Sequence, residues 1–181
     1  DIQPVLYSSN YWEQGDLFLS LRGISAIVLY RPSTNKIIWI KQGPWTAQHD
    51  VDILNKNQIS VFDNNLDTLL KNFIKKNETN ETLIYDFSKN EIFSPYKTAY
   101  LKNEIKTRTE GLSEIFDNNN IFVEDQNNGR LLTMTIDGKI IWSYINKAKD
   151  GNVYLLNWST YLHKKKYEKT IEYLKNLKCY E

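Results

Sequence analysis

An all-β fold with a short C-terminal helix is what this sequence of 181 residues predicts. Three observations predict it: short apolar runs bounded by turn residues, an internal repeat of those runs, and a change to helical periodicity near the C-terminus. Units of four short strands are typical of the blades of a β-propeller. We therefore predict about three antiparallel four-stranded blades over residues 1–158, followed by a helical tail over residues 159–181.

The predicted strands form three series, separated by Gly, Pro, Asn and Asp. They are Leu17–Arg22, Ala26–Tyr30, Lys36–Lys41, Gln48–Leu54, Ile59–Asp63, Leu83–Phe87, Glu91–Phe93, Gly111–Phe116, Ile121–Asp125, Arg130–Ile136 and Lys139–Ile145. Asp137-Gly138 lies between two apolar runs and is a strong hairpin signal.

The strand segments repeat. ISVFDNN, which begins at Ile59, returns as IFVEDQN from Ile121, and Leu17–Gly23 is a third copy of the same strand. Leu17 lies 42 residues before Ile59, which lies 62 residues before Ile121. We assign the longer second unit to an insertion at Asp67–Thr82. Because propellers have about four to eight blades, three units are interpreted as the C-terminal portion of a longer propeller.

The tail is predicted to be helical from Leu162 to Lys178. Tyr167, Ile171 and Leu174 follow one another at spacings of three and four residues, which places them on one face of an amphipathic helix.

Composition excludes several classes of function. The net charge of +1 gives no electrostatic reason to bind nucleic acid. No apolar run is long enough to cross a bilayer as a helix. One cysteine, Cys179, cannot form an intrachain disulfide or a cysteine-based metal cluster. The chain starts at Asp1 without Met or a signal peptide, so we expect any export signal or membrane anchor to precede it.

The candidate site is Gly43–Asn64, which contains His49, one of two histidines. A neutral imidazole with a pKa of about 6.5 is a good nucleophile near neutral pH. By itself, however, a histidine at a strand end beside Asp50 is more often structural than catalytic. We interpret Asp63-Asn64 as turn residues.

A metal site formed by His49, Asp50, Asp52 and Asp63 is disfavoured. On a regular strand, His49 and Asp50 point to opposite faces, and Asp50 shares its face with Asp52 rather than with His49. The prediction is therefore that no metal binds here.

Gly43–Asn64 resembles the active-site strand of the bacterial arylsulfate sulfotransferases, which do not use 3′-phosphoadenylyl sulfate and are built on a six-bladed propeller. Its most diagnostic part is QHD followed by FDN. Further similarity lies in GDLFLSLRGISAIVLY from Gly15, in the KIIW step at Lys36, and in NGRLL through NWS from Asn128. The resemblance spans nearly the whole chain. It implies a periplasmic or otherwise exported protein that needs no nucleotide cofactor.

The resemblance assigns three site residues. His49 is implied to be the nucleophile that carries the sulfuryl group covalently, and Arg22 to bind the sulfate oxygens. Thr109 is implied to line the same funnel. The implied partners are a small phenolic sulfate donor and a phenolic acceptor.

The family also has a His-x-Asn pair immediately before the segment that resembles Asp1–Val5. By the repeat register, Asp1-Ile2 corresponds to Asp52-Ile53, so we expect the pair just before residue 1. The other histidine, His163, matches nothing in the family. We expect an enzyme when the protein is complete; the alternative is a non-catalytic propeller that serves as a binding or interaction module.

Overall fold

The computed structural model describes residues 1–67, 73–74, 79–163 and 167–177. Within them the chain forms three four-stranded sheets and a two-stranded pair, with all neighbouring strands antiparallel. This confirms the predicted all-β fold and its four-stranded units. Two helices accompany the sheets, α1 (Lys97–Lys102) and α2 (Glu168–Asn176).

Each sheet uses four strands that are close in sequence. Sheet 1 contains β1 (Ile2–Pro4), β2 (Leu17–Leu21), β3 (Ala26–Arg31) and β4 (Lys36–Gln42). Sheet 2 contains β5 (His49–Ile53), β6 (Gln58–Asp63), β9 (Glu81–Asp86) and β10 (Glu91–Phe93). Sheet 3 contains β11 (Leu112–Ile115), β12 (Ile121–Asp125), β13 (Arg130–Met134) and β14 (Ile140–Ile145). The short pair is β7 (Leu66–Asp67) with β8 (Phe73–Ile74).

Sheet 2 is packed on both faces. Ile59 and Val61 of β6 are fully buried in a cluster shared with sheet 1, whereas Phe62 is buried in a second cluster shared with sheet 3. Successive strand side chains point to opposite faces, so one short apolar strand contributes to two cores. The helix α1 adds Ala99 and Tyr100 to the second core.

The first strand of each sheet lies towards a common centre. β5 contacts both β1 and β11. Residues of these three strands line a cavity of about 550 Å³, which includes the carboxyl groups of Asp1, Asp50, Asp52 and Glu114. The starts of the first strands are therefore neighbours although they are far apart in sequence.

The C-terminal segment packs against sheet 3. The backbone N–H groups of Trp158 and Ser159 donate to the carboxylate of the buried Glu124, at 3.2 and 2.5 Å. His163 Nε2 lies 2.8 Å from Glu114 Oε1. The helix predicted from Leu162 is confirmed over a shorter range, as α2.

Several sequence predictions fall partly outside the described residues. Residues 68–72 and 75–78 of the predicted insertion are among them, as are residues 164–166 of the tail and residues 178–181, which include Cys179. Among the helices that are described, none has the length and apolar character that crossing a membrane requires.

Candidate active site

Strand β5 starts with a β-bulge. His49 is opposite Phe62 and Val51 is opposite Val61, so Asp50 is an extra residue between two paired positions. Its φ of +48° lies in the left-handed region, which Asp and Asn tolerate better than most residues. The bulge interrupts the regular strand alternation that the sequence suggested for His49 and Asp50. Asp50 and Asp52 nevertheless line one cavity, and His49 is not among the residues that line it.

The bulged Asp50 links sheet 2 to sheet 3. Its Oδ2 accepts a hydrogen bond of 2.9 Å from Ser113 N at the start of β11. Burial and the neighbouring Asp52 raise the pKa of the Asp50 carboxyl well above its usual range.

The pairing of β1 corrects the predicted repeat register. Ile2 is opposite Leu19, as Val51 is opposite Val61, and the repeat makes Leu19 and Val61 equivalent. Asp1-Ile2 therefore corresponds to Asp50-Val51, two residues away from the predicted match. The contacts agree, because Asp1 Oδ2 accepts from Val51 N at 3.1 Å just as Asp50 accepts from the next sheet.

Asn64 holds the imidazole of His49. The distance from His49 Nδ1 to Asn64 Oδ1 is 2.7 Å. Asn64 is fully buried, and its Nδ2 donates to the carbonyl oxygens of Thr107 (3.2 Å) and Glu110 (2.9 Å). These two acceptors fix the orientation of the amide, so Oδ1 faces the ring as an acceptor. We therefore assign the hydrogen to Nδ1 and the lone pair to Nε2.

The half-buried His49 has a chemically available Nε2. That atom has no hydrogen-bonding partner in the part of the chain that the structure describes. Burial lowers the pKa of His49, and the positive charge of Arg22 lowers it further, while the bond to Asn64 acts in the opposite direction. The net result is a neutral imidazole at neutral pH, which is the form that can attack an electrophile.

Arg22 lies in a short 3-10 turn, Arg22–Ile24, directly after β2. Its guanidinium is half-buried and forms no hydrogen bond or ion pair with any described residue. A cation beside a neutral nucleophile can bind the oxygens of an anionic group.

The turn that carries Arg22 is tied to the residues before His49. The buried Gln48 donates from Nε2 to Ala26 O at 3.0 Å, and Ser25 Oγ accepts from Ala47 N at 3.2 Å. Gln48 therefore holds the start of β5 against sheet 1. Its role was not predicted from the sequence.

Thr109 reaches the site through its loop rather than by direct contact. Thr107 and Glu110, on either side of it, supply the carbonyl oxygens that hold Asn64. The Thr109 hydroxyl accepts from Asn127 Nδ2 at 3.0 Å and donates to Gln126 Oε1 at 3.4 Å. Within the described residues, no hydrogen bond joins Thr109 to His49 or Arg22.

The turn interpretation of Asp63-Asn64 holds only for Asp63. Asp63 Oδ1 accepts from Asn65 N (2.9 Å) and from Thr46 N (2.8 Å), as expected of a turn aspartate. Asn64 instead supports His49. The repeat register carries a signal for this role, because it places Asn64 at the same position as Arg22.

The two histidines occupy separate environments. His163 pairs with Glu114 and packs against the rings of Phe116 and Tyr161, in the C-terminal segment. Among the described residues, no group of three or more His, Cys, Asp or Glu side chains is arranged to hold a metal ion.

Comparison with known proteins gives a family match. A sequence family described as arylsulfotransferase (ASST) matches residues 2–147, which contain the three sheets. No curated protein matches the chain in sequence. Among solved structures, one of streptogramin B lyase matches with a TM-score of 0.42 and 14% sequence identity. That match covers 76% of this chain and 38% of the lyase chain, so this chain spans well under half the length of that protein.

Proposed function

This chain belongs to the arylsulfotransferase family, and from that premise we propose that His49 transfers a sulfuryl group from a phenolic sulfate ester to a phenol. The observation that carries the proposal is the state of His49: its Nδ1 is hydrogen-bonded to Asn64, and its Nε2 is left unpartnered by the described residues. A neutral imidazole held in this way is prepared for nucleophilic catalysis.

The proposed reaction has two steps. In the first, the Nε2 lone pair attacks sulfur, the bond from sulfur to the aryl oxygen breaks, and a phenolate leaves. The ring then carries the sulfuryl group on Nε2 and a hydrogen on Nδ1. In the second, the oxygen of an acceptor phenolate attacks sulfur, and the N–S bond breaks to return the electron pair to Nε2. Two steps at one nucleophile give ping-pong kinetics.

Arg22 is proposed to bind the sulfuryl oxygens in both steps. Sulfuryl transfer resembles phosphoryl transfer, in which negative charge is spread over the equatorial oxygens of a loose transition state. The guanidinium of Arg22, which has no partner among the residues that the structure describes, supports this role, because a cation placed in advance needs no reorganisation during the reaction. Thr109 is proposed as a further contact to the substrate, for which its hydroxyl would turn away from Gln126.

We further propose that the three sheets are blades of a six-bladed propeller in an exported, periplasmic protein. The adjacent first strands β1, β5 and β11 around one cavity support the propeller arrangement. His49 is the first residue of β5, so the proposed site lies where the first strands begin.

The test uses the full-length protein, 4-methylumbelliferyl sulfate as donor and phenol as acceptor. We expect fluorescence from the released phenol and a mass gain of one sulfuryl group on the peptide that contains His49. His49→Ala should abolish both. His163→Ala is the matched control and should preserve both, since His163 belongs to the C-terminal segment.

Retained transfer in the folded His49→Ala variant would exclude His49 as the nucleophile. A folded wild-type protein without turnover and without label would favour the non-catalytic binding module.

A further inference from the structure

We propose that Asn64 is a positioning residue that keeps a proton on Nδ1 of His49 through both steps, so that the sulfuryl group always departs from a neutral imidazole. The proposal presupposes the sulfo-His49 intermediate of the proposed function. It adds a reason why the partner of the ring is an amide rather than a carboxylate.

The surroundings of Asn64 allow only one orientation of its amide. Nδ2 lies between two backbone carbonyl oxygens, those of Thr107 and Glu110. A rotated amide would place its own oxygen against both carbonyl oxygens, which would leave Asn64 Oδ1 without a donor and take one donor away from each carbonyl. Leaving a buried polar atom unpaired costs about 1–3 kcal/mol. Asn64 Oδ1 is therefore held in place as the acceptor that faces His49 Nδ1.

The chemical consequence concerns the second step. If Nδ1 keeps its hydrogen, breaking the N–S bond releases neutral imidazole, whose conjugate acid has a pKa of about 6.5. If Nδ1 loses its hydrogen, the leaving group is imidazolate, which is a far stronger base and therefore a poorer leaving group. A neutral amide oxygen is too weakly basic to remove the proton. A carboxylate in the same place could accept it as the sulfated ring becomes cationic.

Other charged groups act on the ring without contacting Nδ1. Arg22, after β2, is cationic, and Glu110, before β11, is anionic. Within the described residues, only Asn64 forms a hydrogen bond with the imidazole. We therefore infer that Asn64 determines which nitrogen of the imidazole carries the proton.

The chain offers a matched control residue in Asn80. Like Asn64, it is fully buried, and its Nδ2 also donates to two backbone carbonyls, those of Asn64 (2.9 Å) and Thr107 (2.8 Å). In the described part of the chain, no hydrogen bond joins Asn80 to the imidazole. Asn64→Asp and Asn80→Asp therefore remove the same number of N–H donors from the same region, and only Asn64→Asp changes the partner of His49.

The decisive experiment follows both half-reactions in the full-length variants. We expect Asn64→Asp to form sulfo-His49 and then to transfer the group to phenol at least about tenfold more slowly than wild type, so that the sulfated enzyme accumulates. We expect Asn80→Asp to keep the wild-type ratio of the two rates, whatever it does to stability. The proposal is overturned if the two variants show the same ratio.

A second measurement does not depend on the folding of a variant. Nitrogen-15 NMR of His49 in the resting wild-type enzyme should show hydrogen on Nδ1 and a lone pair on Nε2. In the sulfated enzyme, the sulfuryl group should be on Nε2 with Nδ1 still protonated. An Nε2–H tautomer, or sulfation at Nδ1, would overturn the proposal. If the wild-type protein takes no label at all, the proposed function fails, and the resting tautomer still decides what Asn64 does to the ring.

Discussion

The segments that follow β6 and β12 start from equivalent residues, Asn64 and Gln126, which support different neighbours. Asn64 is short and buried, and it holds the imidazole of His49. Gln126 is longer and lies in a 3-10 turn, where its amide oxygen reaches Thr109. The same position in two sheets thus presents an amide at two different distances from the backbone.

Sheet 1 extends the comparison. At the same position it carries Arg22, which supports no neighbour and has no partner among the described residues. Three equivalent positions therefore supply an unpaired cation, a support for the nucleophile and a support for the loop of Thr109. The lesson is that a repeated scaffold brings equivalent positions to one edge, where different side chains can form one site.

Replacing Arg22 is expected to have the largest effect on catalysis among the three equivalent positions. We expect Arg22→Ala to reduce kcat/KM for sulfuryl transfer by about 10²–10³, the loss typical of removing one group that stabilises charge in a transition state. Because Arg22 lowers the pKa of His49, its removal should also raise that pKa and move the acidic limb of the pH–rate profile to higher pH.

Arg31→Ala is the matched control for the loss of an arginine. Arg31 is paired with Asp16 at 2.8 Å and with Glu13 at 2.7 Å, so its removal should lower stability and leave the pH profile in place. An unchanged kcat/KM in Arg22→Ala would show that Arg22 has no part in the chemistry.

Replacing Gln126 tests how much the support of Thr109 in sheet 3 contributes to catalysis. Its bond to the Thr109 hydroxyl is long, at 3.4 Å, and Asn127 also contacts that hydroxyl. We expect Gln126→Ala to lower kcat/KM by less than about tenfold, in keeping with the loss of one neutral hydrogen bond. A loss as large as that in Arg22→Ala would mean that the support of Thr109 matters as much as the cation.

The smallest expected effect is on stability, and it concerns Asp50 in the bulge of β5. Sheet 3 has no bulge at the corresponding place, since Leu112 is opposite Glu124 and Ser113 opposite Val123. Folding raises the pKa of Asp50. The Asp50 carboxyl therefore ionises at a lower pH in the unfolded protein than in the folded protein. The contribution of Asp50 to stability is therefore favourable at low pH and is lost as the pH rises from the unfolded pKa through the raised pKa.

The substitution Asp50→Asn tests this difference. Asparagine tolerates the left-handed backbone and keeps an oxygen for Ser113 N. We expect the variant to be more stable than wild type at pH 8 and to lose that advantage near pH 4, measured by chemical unfolding at both pH values. A difference that does not change with pH would contradict the raised pKa.

Local features of the fold could be predicted from the sequence, whereas the roles of the site residues could not. Strand positions, hairpins and the repeat followed from the sequence, because alternation of apolar residues and turn residues act over a few neighbours. The nucleophile candidate His49 and its companion Arg22 followed from a family resemblance, and the family match confirms the resemblance. Their roles stay predictions.

The contacts between the site residues were decided by the tertiary structure alone. The bulge at Asp50 adds one residue to β5 and leaves no mark in the apolar pattern. The support of His49 depends on Asn64, whose own acceptors lie 43 and 46 residues further along the chain. Local patterns determine which strands form. The packing of one sheet against the next determines which polar side chains meet.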